Sequence, residues 1–132
     1  MDIIDFKENN VVICDESYVS IDNICGDFYY LCSGGSVQKD KLSGIPLSKE
    51  ILDKSNVSFS QVGQELKGVF GSISIYINLQ TGRCRITDSI NTNNDKIFEG
   101  VSYVHHLQNI IYKHIGSRLI FSNQLKKSMK FG

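Results

Sequence analysis

The chain has 132 residues, which is the usual size of one domain built around one core. Hydrophobic residues are 41% of the chain and charged residues 21%, values that exclude a disordered protein and a membrane protein. Fourteen basic and fourteen acidic side chains cancel, which excludes a strongly basic protein that coats nucleic acid and an acidic mimic of DNA.

The first third of the chain predicts an antiparallel meander. Short runs of β-branched and aromatic residues alternate there with Asp, Asn and Gly clusters, as in strands that are joined by turns. The predicted strands are Val11–Cys14, Tyr18–Ile21, Phe28–Cys32 and a short strand near Val37. The dipeptide Asp22-Asn23 has the chemistry of a turn, and so has the tripeptide Cys25-Gly26-Asp27.

A short helix is predicted at about residues 48–55, just after the only proline of the chain, Pro46. Ser48 is a good N-cap, and Glu50 lies in the first turn, where the helix dipole favours an acid. Leu47, before the cap, can pack on Leu52. Because isolated helices of about two turns are unstable in water, we expect this one to form only against the rest of the fold.

The middle of the chain predicts further antiparallel strands. Ile73, Ile75 and Ile77 alternate with polar residues, a period of two that is typical of a half-buried strand. The turn 80–82 then leads to its hairpin partner. The other elements predicted here are the partner strand Arg83–Thr87 with Arg83 and Arg85 outward, strands at Glu65–Phe70 and Ile97–Phe98, and a loop at Ser89–Lys96.

The main helix is predicted at about residues 102–115, where Ser102 can cap its start and Gly116 can end it. Its apolar residues recur at spacings of three and four, so one face is expected to pack on a sheet. A last strand over 118–121 and a basic tail over 122–132 follow. The sequence therefore predicts one α+β domain over 1–132, with a twisted, mostly antiparallel sheet and both helices packed on it.

The other face of this helix is predicted to bind a partner. Polar and aromatic side chains share that face at helical spacing, where they are expected to be exposed. The candidate partner-binding residues are His105, Asn109, Tyr112 and Lys113. A structural role, as cap or surface contacts, is the alternative for the polar members of this helix.

Charge is distributed unevenly along the chain. Residues 1–60 hold ten acids and five lysines, whereas residues 101–132 hold five basic side chains and no acid. Such a dipolar chain can meet an anionic partner with one end and a cationic protein surface with the other. An equally simple interpretation is that the two ends pair with each other in the fold, or that each is a solvated face.

The basic side chains also predict a surface for nucleic acid, since phosphate contacts need only a cluster of such groups. Two candidates share the outward face of one predicted strand, and the others lie near the C-terminus. The candidate nucleic-acid contacts are Arg83, Arg85, Arg118, Lys126, Lys127 and Lys130. The aromatic run Phe28–Tyr30 lies in the acidic half, so no interleaved basic and aromatic platform is predicted.

Catalytic, metal and cofactor motifs are absent from the sequence. The adjacent His105 and His106 point about 100° apart on a helix and cannot hold one ion together. The four cysteines form no C-x-x-C pair and are expected to be reduced. Residues 1–8 lack the order of a secretory signal. We therefore predict a cytoplasmic, non-enzymatic protein with no metal, no cofactor and no membrane contact.

Two segments resemble a group of small proteins carried by phages and mobile elements of Bacteroidetes-type bacteria. The first is Ile45–Leu52, with the sequence IPLSKEIL, and the second is Tyr103–Tyr112, with the sequence YVHHLQNIIY, followed by Gly116 and the pair Leu119-Ile120. The order of elements is similar over about three quarters of the chain. This chain departs from the group in its second histidine, His106, and in its basic tail.

The resemblance implies a phage-type protein that acts in the cytoplasm of a bacterial host. Its general character is similar to that of anti-CRISPR proteins, and the implied partner is a large bacterial defence protein. The specific hypothesis is an inhibitor of a type VI, RNA-cleaving CRISPR effector or of its complex with guide RNA. Two rival hypotheses are an accessory protein that binds nucleic acid directly, and an assembly module that forms a homodimer.

Overall fold

The computed structural model describes residues 5–90 and 95–121. Within these ranges the α+β class is confirmed, with antiparallel strands and two α-helices. The strands are divided between two five-stranded sheets instead of forming one. The predicted tail 122–132 lies outside the described residues, and so does the centre of the predicted loop 89–96.

The first sheet contains the predicted meander. Its strands are β1 (Val11–Cys14), β2 (Ser17–Cys25), β3 (Phe28–Leu31), β4 (Ser36–Gln38) and β5 (Leu42–Ser43), in the order β4-β3-β2-β1-β5. The predicted turn at Asp22-Asn23 is wrong, because β2 continues through this dipeptide with a bulge in its register against β3. The turn that joins β2 to β3 contains Gly26, whose φ of 59° is easily adopted by glycine.

This first sheet is curled. Its two edge strands, β4 and β5, are connected only by a 3₁₀ turn at Lys39–Lys41. Such a connection spans at most about 14 Å, whereas the outer strands of a flat five-stranded sheet lie roughly 19 Å apart. The sheet therefore curls around its own core, which contains Val12, Cys14, Ile21 and Leu42.

The second sheet is a simple meander. Its strands are β6 (Ser60–Val62), β7 (Glu65–Phe70), β8 (Ile73–Asn78), β9 (Arg83–Asp88) and β10 (Lys96–Phe98), in the order β10-β9-β8-β7-β6. The predicted hairpin of β8 and β9 is confirmed, and Cys84 and Ile86 are buried as expected. Strand β6 was not predicted, because all three of its residues are exposed and leave no alternation in burial.

The two helices join the sheets. Helix α1 (Lys49–Leu52) begins at Ser48, whose Oγ accepts a hydrogen bond of 3.2 Å from Ile51 N–H, and it is shorter than predicted. The N-cap of helix α2 (Val104–His114) is Tyr103 instead of the predicted Ser102. No side chain among the described residues caps the first turn, and the side chain of His106 instead bonds to the residue before the N-cap, since its Nδ1 accepts a hydrogen bond of 3.2 Å from Ser102 N–H.

One hydrophobic core connects all these parts. It joins Val11 and Tyr18 of the curled sheet to Ile75 and Ile77 of the second sheet and to Leu107 of α2. The segment 118–121 was predicted as a strand, and this is wrong. It makes a single bridge, between Phe121 and Ser55, because the chain opposite is the irregular end of α1 and not a strand.

Candidate partner-binding cleft

Helix α2 is buried on all sides over its first eight residues, Val104–Ile111. The expectation that His105 and Asn109 lie on an exposed face is therefore wrong: their exposed fractions are 3% and 7%. The curled sheet and the segment 5–10 cover the face that would otherwise be open to solvent. The sequence has no periodic pattern that would predict this burial, since the covering segment is short and irregular.

Buried amides on α2 hold this cover in place. Gln108 Oε1 accepts a hydrogen bond of 2.9 Å from Val11 N–H, and Gln108 Nε2 donates one of 2.9 Å to Leu119 O. Asn109 Nδ2 donates to Asp5 O at 2.7 Å. These side chains satisfy backbone groups that would otherwise be buried without partners. Gln108 and Asn109 thus connect α2 to the segment 5–11, and Gln108 also connects it to Leu119.

A cleft of about 650 Å³ opens beside these amides. Its walls come from residues 7–11, from the curled sheet, from the last turns of α2 and from residues 118–121. Val11, Leu119 and Phe121 supply buried apolar surface. Pockets of this size with an apolar lining and a few polar groups are typical of binding sites.

The mouth of the cleft is aromatic and cationic. Tyr112 is 57% exposed, and the guanidinium of Arg118 lies 4.5 Å from the centre of its ring, in cation–π contact. Lys7 and Lys113 also line the cleft and are exposed. Glu8 is the one acid among the lining residues. The mouth therefore carries a positive charge and favours an anionic ligand.

The structure brings together residues that were predicted for different roles. Of the predicted partner-binding set, Asn109, Tyr112 and Lys113 line the cleft, and Arg118 of the predicted nucleic-acid set joins them. His105 lies outside this lining and packs on the ring of Phe6, with ring centres 4.6 Å apart. Lys126, Lys127 and Lys130 lie outside the described residues.

The other two predicted nucleic-acid contacts lie elsewhere. Arg83 and Arg85 are on β9 of the second sheet, outside the cleft lining. Arg85 Nη2 is 3.1 Å from Glu65 Oε1, and its guanidinium lies 4.1 Å from the centre of the Tyr76 ring. Arg83 Nε is 3.8 Å from Glu99 Oε1. Both arginines thus face acids, which weakens their attraction for phosphate.

Lys7 and Ser20 are among the contributors to the cleft that were not predicted as site residues. Lys7 comes from a segment with no recognisable pattern, and Ser20 looks like an ordinary polar residue of a strand. Ser20 is 6% exposed and lines the cleft, yet its Oγ has no hydrogen-bond partner among the described residues. No feature of the sequence distinguishes Ser20 from the other serines.

The described residues contain no group of three or more His, Cys, Asp or Glu side chains arranged to hold a metal ion. No helix in the described ranges is long and apolar enough to cross a membrane. Comparison of the chain with protein-family models, curated proteins and solved structures found no match.

Proposed function

We propose that this chain is a non-enzymatic binding protein that holds a partner protein at the cleft beside α2. The observation that carries the proposal is the convergence of Tyr112, Lys113 and Arg118 at the mouth of one apolar cleft. Tyrosine and arginine are among the residue types that contribute most of the binding energy in protein interfaces.

The proposed partner is a bacterial defence protein, specifically an RNA-guided type VI nuclease or its complex with guide RNA. This choice is supported by the resemblance of the segments Ile45–Leu52 and Tyr103–Tyr112 to phage proteins. The two segments are neighbours in space: Val104 N–H donates to Ile45 O at 2.8 Å, and Leu47 N–H donates to Ser102 O at 3.1 Å. The resembling residues thus belong to one unit, and that unit contains the helix that lines the cleft.

The experiment uses a purified type VI effector loaded with guide RNA. We expect the chain to co-elute with this complex in size-exclusion chromatography and to reduce its cleavage of RNA. Tyr112→Ala combined with Arg118→Ala is expected to weaken both effects, whereas Arg83→Ala, on a different surface, leaves them unchanged. Absence of co-elution together with unaltered cleavage contradicts the choice of partner.

A second candidate function is direct binding of nucleic acid. The observation that favours it is the exposure of Lys113 and Arg118 beside the open ring of Tyr112, since bases stack on such rings while cations contact phosphate. Titration of labelled single-stranded RNA in the absence of any partner tests it. Affinity that falls steeply between low and physiological salt supports this candidate.

A further inference from the structure

The cleft has three chemically different zones. Its inner wall is apolar and contains Val11, Leu119 and Phe121. Its mouth carries Lys7, Lys113 and Arg118. The third zone is the buried residue Ser20, which also lines the cleft. A ligand that satisfies all three zones needs an apolar part, an anionic part and a polar group that can enter a buried position.

The hydroxyl of Ser20 is the most informative of these groups. Its Oγ is buried, and it has no hydrogen-bond partner among the described residues, although burying such a group without a partner is unfavourable. The neighbouring backbone groups are already engaged, since Ser20 O accepts a hydrogen bond of 3.0 Å from Cys32 N–H. The side-chain amide of Asn10 is engaged as well, by Asn109 at 3.0 Å. The Ser20 hydroxyl is therefore available to a ligand.

The charges at the mouth determine the sign of the charge that this ligand must carry. Three cationic side chains and one acidic side chain line the cleft, which gives a local charge of +2. Arg118 lies against the Tyr112 ring, and this contact orients a guanidinium that can bind a carboxylate with two hydrogen bonds.

We infer that the cleft binds a short acidic peptide segment in which a carboxylate adjoins a large apolar side chain. The inference rests on the proposed function and names the chemistry of the partner segment. The carboxylate pairs with Arg118 and Lys113, and the apolar side chain packs against Val11 and Phe121. A peptide backbone offers both N–H and C=O groups, so it can either donate to the Ser20 hydroxyl or accept from it.

The probe is a fluorescein-labelled hexapeptide, Gly-Glu-Leu-Phe-Glu-Gly, measured by fluorescence anisotropy with the full-length protein at physiological ionic strength. Its matched control has glutamine in place of both glutamates. We expect the glutamate peptide to bind about tenfold more tightly than the glutamine peptide, the change that corresponds to one charge-assisted contact. Equal affinity for the two peptides, or no binding of either, overturns the inference.

Protein variants identify the surface. Arg118→Ala is expected to weaken binding of the glutamate peptide about tenfold. Arg83→Ala, which removes an arginine outside the cleft, is the matched control and is expected to leave peptide affinity unchanged. Ser20→Ala separates ligand recognition from folding. Because the hydroxyl has no described partner in the free protein, the variant is expected to match or exceed wild type in free energy of unfolding while it weakens peptide binding several-fold. Unchanged peptide affinity in Ser20→Ala removes Ser20 from the site and overturns its assignment.

Other occupants give different results, and each of them overturns the inference. If an RNA oligomer binds and the peptide does not, the cleft is a nucleic-acid surface. Dimerisation that Arg118→Ala abolishes identifies a second copy of the chain. Peptide binding that appears only when Leu125, Met129 and Phe131 are all replaced by serine identifies the C-terminal segment of the chain itself.

The effector experiment separates this inference from the proposed function. If the hexapeptide binds as expected and the chain ignores the type VI effector, the chemistry of the cleft stands and the choice of partner fails. If the effector is inhibited equally by wild type and Arg118→Ala, and the hexapeptide does not bind, the choice of partner stands and the cleft is not the site that binds it.

Discussion

Asn10 Nδ2 donates a hydrogen bond of 3.0 Å to Asn109 Oδ1, and the two residues are 99 positions apart in the chain. Asn10 Oδ1 in turn accepts a hydrogen bond of 2.6 Å from Lys7 N–H, so both ends of this amide are engaged. The pair thus fixes the segment that forms one wall of the cleft to the helix that forms the other.

The first prediction concerns this pair. Asn109→Ala removes the acceptor of Asn10 and the donor to Asp5 O, and it leaves buried polar groups without partners. We expect it to lower the free energy of unfolding by about 1–3 kcal/mol. Urea denaturation followed by circular dichroism measures the change, with Gln64→Ala, at an exposed position, as control. A loss in Asn109→Ala no larger than in the control contradicts the fastening role.

The second prediction concerns Gly44, which lies under an aromatic ring. A Cβ atom at this position would be 2.7 Å from Cγ and Cδ1 of Tyr103 and 2.9 Å from Cε1 of His105. We expect Gly44→Ala to destabilise the protein by about 1–3 kcal/mol, because the start of α2 must shift to accept the methyl group. Thermal unfolding measures the loss. If ring contact is the cause, the substitution costs less in a Tyr103→Ala background.

The third prediction is a pH dependence that arises from His114. Burial, followed by the charges of Lys96 and Lys113, lowers the pKa of His114 below the usual histidine value of 6.5. The unfolded chain therefore binds more protons than the folded chain as the pH falls through this region. The contribution of His114 to stability is present above pH 6.5 and is lost as the pH falls toward the lowered pKa.

Denaturant unfolding at several pH values from neutral to mildly acidic tests this dependence. Wild type is expected to lose more stability on acidification than His114→Gln, whose side chain does not titrate. The contact between Lys96 Nζ and His114 Nδ1, at 3.3 Å, requires Nδ1 to be the unprotonated nitrogen, which agrees with the direction of the shift. Parallel pH profiles for the two proteins would show that His114 is not responsible.

The fourth prediction concerns the reactivity of the cysteines. Cys25 and Cys32 are exposed, whereas Cys14 and Cys84 are buried. Burial, with a smaller effect of Glu65, raises the pKa of Cys84 to about 12. Burial also raises the pKa of Cys14, and Asp15 adds to this shift. Since the thiolate is the reactive form, both buried thiols are expected to resist alkylation.

Mass spectrometry after treatment of the native protein with iodoacetamide measures this reactivity. We expect two rapid adducts, on the exposed pair, and two more only after denaturation. In a Cys25→Ser background, the adduct at Cys32 also reports on the cleft, because Cys32 lines it. Rapid modification of Cys84 in the native state would contradict the burial of the face of the second sheet on which Cys84 lies.

Regular patterns in the sequence predicted most of the strands. The alternation of Ile73, Ile75 and Ile77 is a local property, and it is enough to predict a strand and the side of it that is buried. The end of α2 could be predicted for the same reason, because Gly116 adopts a φ of 78° that few other residues favour. Local chemistry determines such features.

The cleft could not be predicted from local patterns, because it is formed by contacts between residues that are far apart in the sequence. His105 and Asn109 have the spacing of an exposed face, and they are buried because an irregular segment from the other end of the chain covers them. The division of the strands into two sheets falls between β5 and β6, where the chain passes through α1, and it likewise depends on long-range packing. Tyr112 and Lys113 were predicted as partner-binding residues, and they do line the cleft, because they lie beyond the covered part of the helix.

Gln108 and Asn109 join residues 5–11 to α2, and Gln108 joins α2 to Leu119, and these hydrogen bonds have a consequence for synthesis. Strands β1 to β4 can pair as soon as they leave the ribosome, since each contacts its neighbour in the chain. The cleft walls cannot come together until the segment 118–121 has also emerged, and such distant contacts form slowly. A nascent chain therefore cannot complete this cleft until residues 118–121 have been translated.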